Sequence, residues 1–312
     1  MLDLHRLRLL REFADRGTIA ATAAALSYTP SAVSQQLSAL EREAGAALLD
    51  RAARSVELTD VGRQLAVHAE IILAQVEAAE ADLSAAGREP SGRAVVAAFP
   101  TAAAAFAPAL VRSMRGHPGL TLLLQQAQPG EGLRRVRSGE VDVALVDDWT
   151  GALPENGPAL LRYYALLRDP VVLIVPRDHP LADPAVPVDL RQLRETSRWM
   201  AAPEGEPSRQ AVDRLLETAG GAPAVPWEFE GMGTIVGLVA RGIGVAAVPR
   251  LALATGERRV MVRELPGPAP ARDVYAVARA ASVRRPAVTV ILAALTAGAA
   301  GLTGVRRRGR TV

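Results

Sequence analysis

Apolar residues recur at helical spacing from the first residues of the chain. Leu4, Leu7, Leu10 and Phe13 share one face, which predicts a helix from Leu4 to Asp15. Gly17 ends it, and Thr18 caps a short, nearly all-alanine helix from Ile19 to Ala25. A third helix opens in "SYTPSAVSQQLSALE", with Thr29 as N-cap and Pro30 in the first turn. Its apolar face is Val33, Leu37 and Leu40, and its polar face is Ser31, Ser34, Gln35 and Ser38, without a charge among them. Short helices joined by a tight turn predict a helix-turn-helix. "LLDR" and "VELT" then read as two strands of a small hairpin, or wing, with Arg51 and Arg54 near its tip. From Asp60 a long helix carries Leu65, Ala69, Ile72, Val76, Ala79 and Leu83 in a 4-3-4-3-4 repeat, a coiled-coil seam. Such a stripe can also pack on its own domain. The Gly/Pro linker "GREPSGR" that follows favours a partner helix, because a helix between two domains has little of its own chain to cover it.

From Ala94 the period changes. "AVVAAF", "LTLLLQQ" and "VDVALV" read as strands, separated by helices over Pro100–Met114 and Glu131–Ser138. "DPVVLIVP" starts a second series, with helices over Arg209–Ala219 and Thr234–Arg241 and strands "PWEFE" and "GVAAVP". "VYAVARA" and a helix from Pro286 to Ala297 close the chain. Strand–helix alternation predicts α/β sheets, and two units of similar size predict two lobes with a cleft between them.

Composition narrows the chemistry. The chain of 312 residues has no lysine and no cysteine, which excludes a Schiff-base or P-loop lysine, a disulfide and a thiol nucleophile. The net charge of +3 is matched by the four arginines of "RRRGR" near the C-terminus. Residues 1–60 hold seven arginines against eight acids, so a case for nucleic acid must rest on where the arginines stand. "MLDLHRLRLLREF" has no continuous apolar region, and the apolar stretch Ala287–Leu302 is rich in alanine and glycine. Both predict a chain that stays in the cytoplasm, without a membrane span. His5, His68, His117 and His179 are scattered without metal-ligand spacing, and no catalytic constellation is present, so no cofactor and no enzyme activity are expected. Asp147–Asp148 reads as loop rather than site. "GMGTIVG" has the glycines of a dinucleotide loop, but the strand before it is short and charged and no acid follows to hold a ribose.

What remains is recognition chemistry. Gln can contact adenine in a bidentate way, and Ser can donate or accept at base edges. Ser31, Ser34, Gln35 and Ser38 form such a row, with Thr29 and Pro30 at the helix start. Arg51 and Arg54 suit the phosphate backbone, with Gln36 and Arg42 next. In the second half, Thr101 and Ala102 follow a strand at a helix N-terminus that could hold a carboxylate. Met232, Gly233 and Thr234 of "GMGTIVG" do the same in the other lobe, and Gln128 lies in the loop after the next strand.

The first 88 residues resemble the LysR-type transcriptional regulators, most specifically in "PSAVSQQLSALEREAG" followed by "LLDR…R.VELT..G". "GRAVVAAFPTAAAAFAPAL", "GEVDVALV", "DPVVLIVPRDHPLA" and "LVARGIGVAAVP" are similar to the family in order and spacing. The family often has Gln at Pro30 and Arg at Gln35, departures that shift the expected base preference, and Phe at Leu49, a minor packing change. The resemblance implies a multidomain chain: an all-α-rich winged helix-turn-helix (1–59), a dimerising linker helix (60–88) and a bilobed α/β effector domain of the periplasmic-binding-protein type. Lobe I would span 91–164 and 268–300, lobe II 165–267, and a basic flexible tail 301–312. Thr101, Ala102, Gln128, Met232, Gly233 and Thr234 would face the inter-lobe cleft. The implied partners are double-stranded DNA with an inverted repeat, an effector with a small anion as the candidate, a second copy or a tetramer of the chain, and RNA polymerase. A solute-binding protein would need a signal peptide, and an α/β enzyme fused to a DNA-binding domain would need a catalytic constellation.

Overall fold

The computed structural model describes residues 1–312 except 52–55, 86–88, 152–159, 222–224, 226, 255, 258 and 309–312, and only the backbone of 303–308. It divides into two units, Met1–Gly87 and Arg88–Val312.

The first unit contains α1 (Leu4–Arg16), α2 (Ile19–Leu26), α3 (Pro30–Ala44), the hairpin β1 (Leu49–Arg51) and β2 (Val56–Leu58), and α4 (Asp60–Ala85). Each early helix has its own start signal. Asp3, Thr18 and Thr29 accept from the backbone N–H of Arg6, Ala21 and Ala32. Ser27 ends α2 in the left-handed region at φ 58°, and Tyr28 N–H closes the turn on the Ala23 carbonyl at 2.9 Å. The helical stripes then meet in one core of Leu7, Leu10, Phe13, Ala23, Val33, Leu37, Leu40 and Leu48, completed by Ala66 and Ala69 of α4.

The joint between wing and α4 explains the "VELT..G" pattern. Thr59 Oγ1 accepts from Gly62 N–H at 2.9 Å and donates to the Ala47 carbonyl at 2.8 Å. Thr59 N–H donates to the Leu48 carbonyl at 3.0 Å. Helix and wing approach so closely here that a Cβ on Gly62 would lie 2.1 Å from the Leu48 oxygen.

The second unit contains β3 (Gly92–Ala98), α5 (Pro100–Met114), β4 (Leu120–Gln126), α6 (Pro129–Ser138), β5 (Val143–Asp148), β6 (Leu161–Pro176), α7 (Leu190–Thr196), β7 (Met200–Ala201), α8 (Pro207–Glu217), β8 (Trp227–Glu228), α9 (Met232–Val239), β9 (Ala246–Pro249), β10 (Val260–Arg263), β11 (Ala271–Arg279) and α10 (Pro286–Arg308). Its main sheet runs β10-β6-β11-β5-β3-β4, with β9 also paired to β6. Alternation with period two sorts the apolar runs onto two faces. In β3, Ala94, Val96 and Ala98 enter one core while Val95 and Ala97 enter another. In β6, Val171, Leu173 and Val175 separate from Val172 and Ile174 in the same way. Burial on both faces is why these runs are uninterrupted by polar residues.

The long strand β6 belongs to both lobes. Leu161–Pro170 pairs with β11, and Val171–Pro176 pairs with β9 and β10. The expected boundary at 164/165 therefore moves to 170/171, because the apolar run starting at Val171 is the second half of a strand already under way. The chain returns beside this point, where Val171 N–H donates to the Pro270 carbonyl at 2.8 Å. Helix α10 runs to Arg308, past the end expected at Ala297, so residues 301–308 are helix rather than flexible tail; 309–312 lie outside the described residues. Helix α7 and strand β10 were not anticipated, being too short to show periodicity. No helix among the described residues is long and apolar enough to cross a membrane.

Gly62→Ala is expected to destabilise the first unit by about 1–3 kcal/mol, the usual cost of overpacking. Urea melts followed by circular dichroism would measure this, and an unchanged midpoint would contradict the close approach.

Candidate functional site

Two arrangements in this chain have chemistry to offer. The first is α3 with the wing. Val33, Leu37 and Leu40 are fully buried, which fixes the rotation of α3 and leaves Thr29, Pro30, Ser31 and Gln35 exposed along its outer edge. The remaining polar residues already have work in the free protein. Arg51, from the wing, donates to Ser38 Oγ at 2.7 Å and to Ser34 Oγ at 3.3 Å, and reaches Glu41 at 3.5 Å. Glu41 also accepts the N–H groups of Leu48 and Leu49, each at 3.0 Å, which ties the wing's first strand to α3. Ser34 and Ser38 are thus both engaged by Arg51 in the free protein. They sit on the side of α3 that faces β1 and hold the wing arginine there. Gln36 lies on another side and accepts from Arg6 Nε at 3.0 Å, toward α1. One step along a helix turns the side chain by about 100°, so Gln36 points away from the Gln35 edge. Arg54 falls outside the described residues.

The seam on α4 is also divided. Ala69 is fully buried and Leu65 packs beside it in the unit's own core, so these two are spent within the monomer. The exposed apolar residues are Val61, Val67, Ile71, Ile72 and Leu83, the last 77% accessible. Val76 is half-buried and Ala79 exposed. Of the expected stripe, Ile72, Ala79 and Leu83 are exposed and Val76 half-buried, while Leu65 and Ala69 turn inward where α4 packs on α1.

The second arrangement is a cavity of about 270 Å³ between the two lobes. Four helices begin at it, α5, α6, α8 and α9, and three of them have Pro at the first position. Proline there leaves no N–H to satisfy and presets the helical φ. At one wall lies Arg272 from β11, buried and fully engaged. It donates to Asp147 of β5 at 2.8 Å, to Asp169 of β6 at 3.0 Å and to Thr101 Oγ1 at 2.8 Å. Its guanidinium lies 4.7 Å from the Phe99 ring centre and 5.6 Å from that of Trp149. Asp169 also accepts from Leu251 N–H at 3.0 Å, and Asp147 from Trp149 Nε1 at 3.1 Å. In the other lobe, Arg209 braces the wall by donating to the Ala202 carbonyl at 3.1 Å and to Glu228 at 2.8 Å. Burial works against its charge, but the hydrogen bonds to Glu228 and Asp213 outweigh it and raise the Arg209 pKa above the usual guanidinium range.

Of the residues expected at this cleft, Thr101, Gln128 and Met232 share its lining. Ala102 points its methyl into the core, and Gly233 and Thr234 are exposed outside the lining. Thr101 is not the helix cap; that position is Phe99, and Thr101 stands in the first turn with its oxygen on Arg272. Asp147, read as loop, is a wall of the cavity. Trp149, Glu206, Ser208, Glu230 and Arg272 are further lining residues that sequence reasoning did not single out. Pro before a polar first turn, as in "GEPS" at 205–208, was the available signal for Glu206 and Ser208.

Residues 4–63 match the bacterial regulatory helix-turn-helix model of the lysR family, and residues 87–300 match the LysR substrate binding domain. The chain belongs to the LysR family. It is 28% identical over 264 residues to the transcriptional dual regulator GltC of Bacillus subtilis, covering 84% of this chain and 85% of that one. Among solved structures it resembles a full-length variant of OxyR from Pseudomonas aeruginosa, with a TM-score of 0.67, 23% identity and 95% of each chain covered. It also resembles full-length CbnR in complex with its target DNA, with a TM-score of 0.54, 21% identity, and 95% of this chain and all of that one covered. The protein is a LysR-family transcriptional regulator with an effector-binding domain, and LysR regulators bind DNA and small-molecule effectors.

In this LysR protein, Arg272→Gln leaves two carboxylates facing each other without their cation. A loss of about 3–5 kcal/mol in stability is expected, read as a lower melting temperature of the intact chain. A variant that melts with the parent would show that Arg272 does not hold the wall together.

Proposed function

We propose that this regulator binds a partly palindromic promoter site as a dimer or tetramer, with the outer edge of α3 in the major groove and the wing on the backbone. Exposure of Ser31 and Gln35 beside a braced wing is the observation that carries the reading. Gln35 is the base reader, by bidentate contact with adenine. Thr29, Pro30 and Ser31 bring the N-terminal end of α3 close to the DNA, where the Ser31 N–H faces phosphate. Arg51, with Arg54, supplies positive charge at the wing. Ser34 and Ser38 act by aiming Arg51 rather than by reading bases. A symmetric pair reads two half-sites and so gains specificity. Its contact runs through Ile72, Val76, Ala79 and Leu83, together with Val67 and Ile71. The inter-lobe cavity takes the effector, which alters how the copies pair on DNA. The protein works in the cytoplasm, where RNA polymerase is the further partner, and carries out no catalysis.

A gel-shift titration on DNA from the gene's own upstream region, at several salt concentrations, tests the DNA reading. Gln35→Ala is expected to cost about 1–3 kcal/mol on the specific site and little on random DNA, whereas Arg51→Ala weakens both and lowers the salt slope by about one. Equal losses on both DNAs for Gln35→Ala would remove it from base readout. In a separate measurement by light scattering, Ile72→Arg with Leu83→Arg should yield monomers whose helix-turn-helix still melts as in the parent. Unchanged oligomers would place the contact elsewhere.

A further inference from the structure

The inter-lobe cavity is unevenly charged. On the lobe I side, α5 has no acid in its first turn and no side-chain cap, and α6, with Gln128 at its N-cap and no side-chain bond there, has Glu131 in its first turn, outside the cavity lining and 3.8 Å from Arg135. These two helix ends keep unsatisfied N–H groups and their positive partial charge. Thr101 adds a donor. Its oxygen already accepts from Arg272, and among the described residues its own proton meets no acceptor. A hydroxyl has one proton to give, so this one calls for an acceptor oxygen in the cavity. Arg272 cannot serve as the counter-ion of a bound anion, since two carboxylates already share it.

The lobe II side is the reverse. Glu206 is the N-cap of α8 and Glu230 stands two residues before α9, and both carboxylates are exposed and line the cavity. Neither carboxylate has a hydrogen bond or ion pair among the described residues. A carboxylate at a helix start also compensates the dipole of its own helix. That alone does not account for both acids opening onto one cavity, opposite two helix ends whose one first-turn acid, Glu131, is outside the lining. A simple anion would meet uncompensated negative charge on this side.

We infer that the effector is a small zwitterion of the α-amino-acid type, its carboxylate held by Thr101 and the starts of α5 and α6, its ammonium by Glu206 and Glu230. The inference rests on the cavity being the effector site. It replaces the small anion that the helix ends alone suggested. The volume of about 270 Å³ suits a molecule of that size; it lies just under the roughly 300–1,000 Å³ usual for ligand pockets. A ligand with opposite charges at its two ends grips both lobes at once, so it binds the closed form better than the open one. That difference is what allows a ligand to shift a conformational equilibrium.

The test uses the full-length protein in thermal-shift and calorimetric titrations with each proteinogenic L-amino acid. For any that binds, the matching 2-oxo acid, which lacks the amine, and the matching amide, which lacks the carboxylate, are titrated as well. At least one amino acid is expected to bind, with both analogues weaker by about tenfold or more, the loss of one charged hydrogen bond. Glu206→Gln with Glu230→Gln should bring the amino acid down to the level of its 2-oxo acid. Thr101→Val should weaken both, and the Glu206→Gln, Glu230→Gln variant should melt like the parent when unliganded. A 2-oxo acid that binds as tightly as its amino acid, and depends on Thr101, overturns the zwitterion while keeping the cavity as the effector site. Amino-acid binding that ignores both variants overturns the cavity itself. Failure of every amino acid to bind overturns the inference.

Discussion

One guanidinium holds together the place where the chain passes between its two lobes. Arg272 stands at the start of β11, just after the return crossing, and is gripped by Asp147 at the end of β5 and Asp169 at the midpoint of β6. Three strands and the first turn of α5 are thereby fixed to one buried side chain. Burying these charges costs desolvation energy that direct attraction only partly offsets. Their value lies in geometry. The ion pairs set the angle of the hinge strands, the seat of Thr101 and the position of the Trp149 wall, and so define the cleft in which an effector would bind.

The first unit solves a similar problem with a shorter reach. A wing of two three-residue strands has almost no core of its own. It is held by Glu41, which accepts two backbone N–H groups at the wing's start, by Arg51 lying across Ser34 and Ser38, and by the glycine contact at α4. The neutral face of α3 therefore has two parts. One edge is given to bracing the wing, and only Ser31 and Gln35 look outward. The lack of charge on that face leaves Arg51 free to settle there without competing partners other than Glu41.

Both halves use the same device: a charged side chain in one element immobilises a hydroxyl in another. In the wing this aims a cation, and in the cleft it aims a proton donor. Neither pairing joins residues close in sequence. Arg51 and Ser38 are separated by 13 positions, and Arg272 and Thr101 by 171.

Periodicity and caps in the sequence were enough to set out the helix-turn-helix, the wing, the long helix and the strand–helix order of the second half, because hydrogen bonding and apolar spacing over a few residues decide such elements locally. Thr29 carried its role as cap in plain view for the same reason. The cleft was legible only at its helix starts, Thr101, Gln128 and Met232. The rest required the tertiary structure: the division of β6 between lobes at 170/171, the inward turn of Leu65 and Ala69, the capture of Ser34 and Ser38 by Arg51, and the meeting of Asp147, Asp169, Glu206, Glu230 and Arg272 around one cavity. Those outcomes depend on which faces of distant elements come together, and a charge or hydroxyl gives no sign in the sequence of the partner that packing will bring to it.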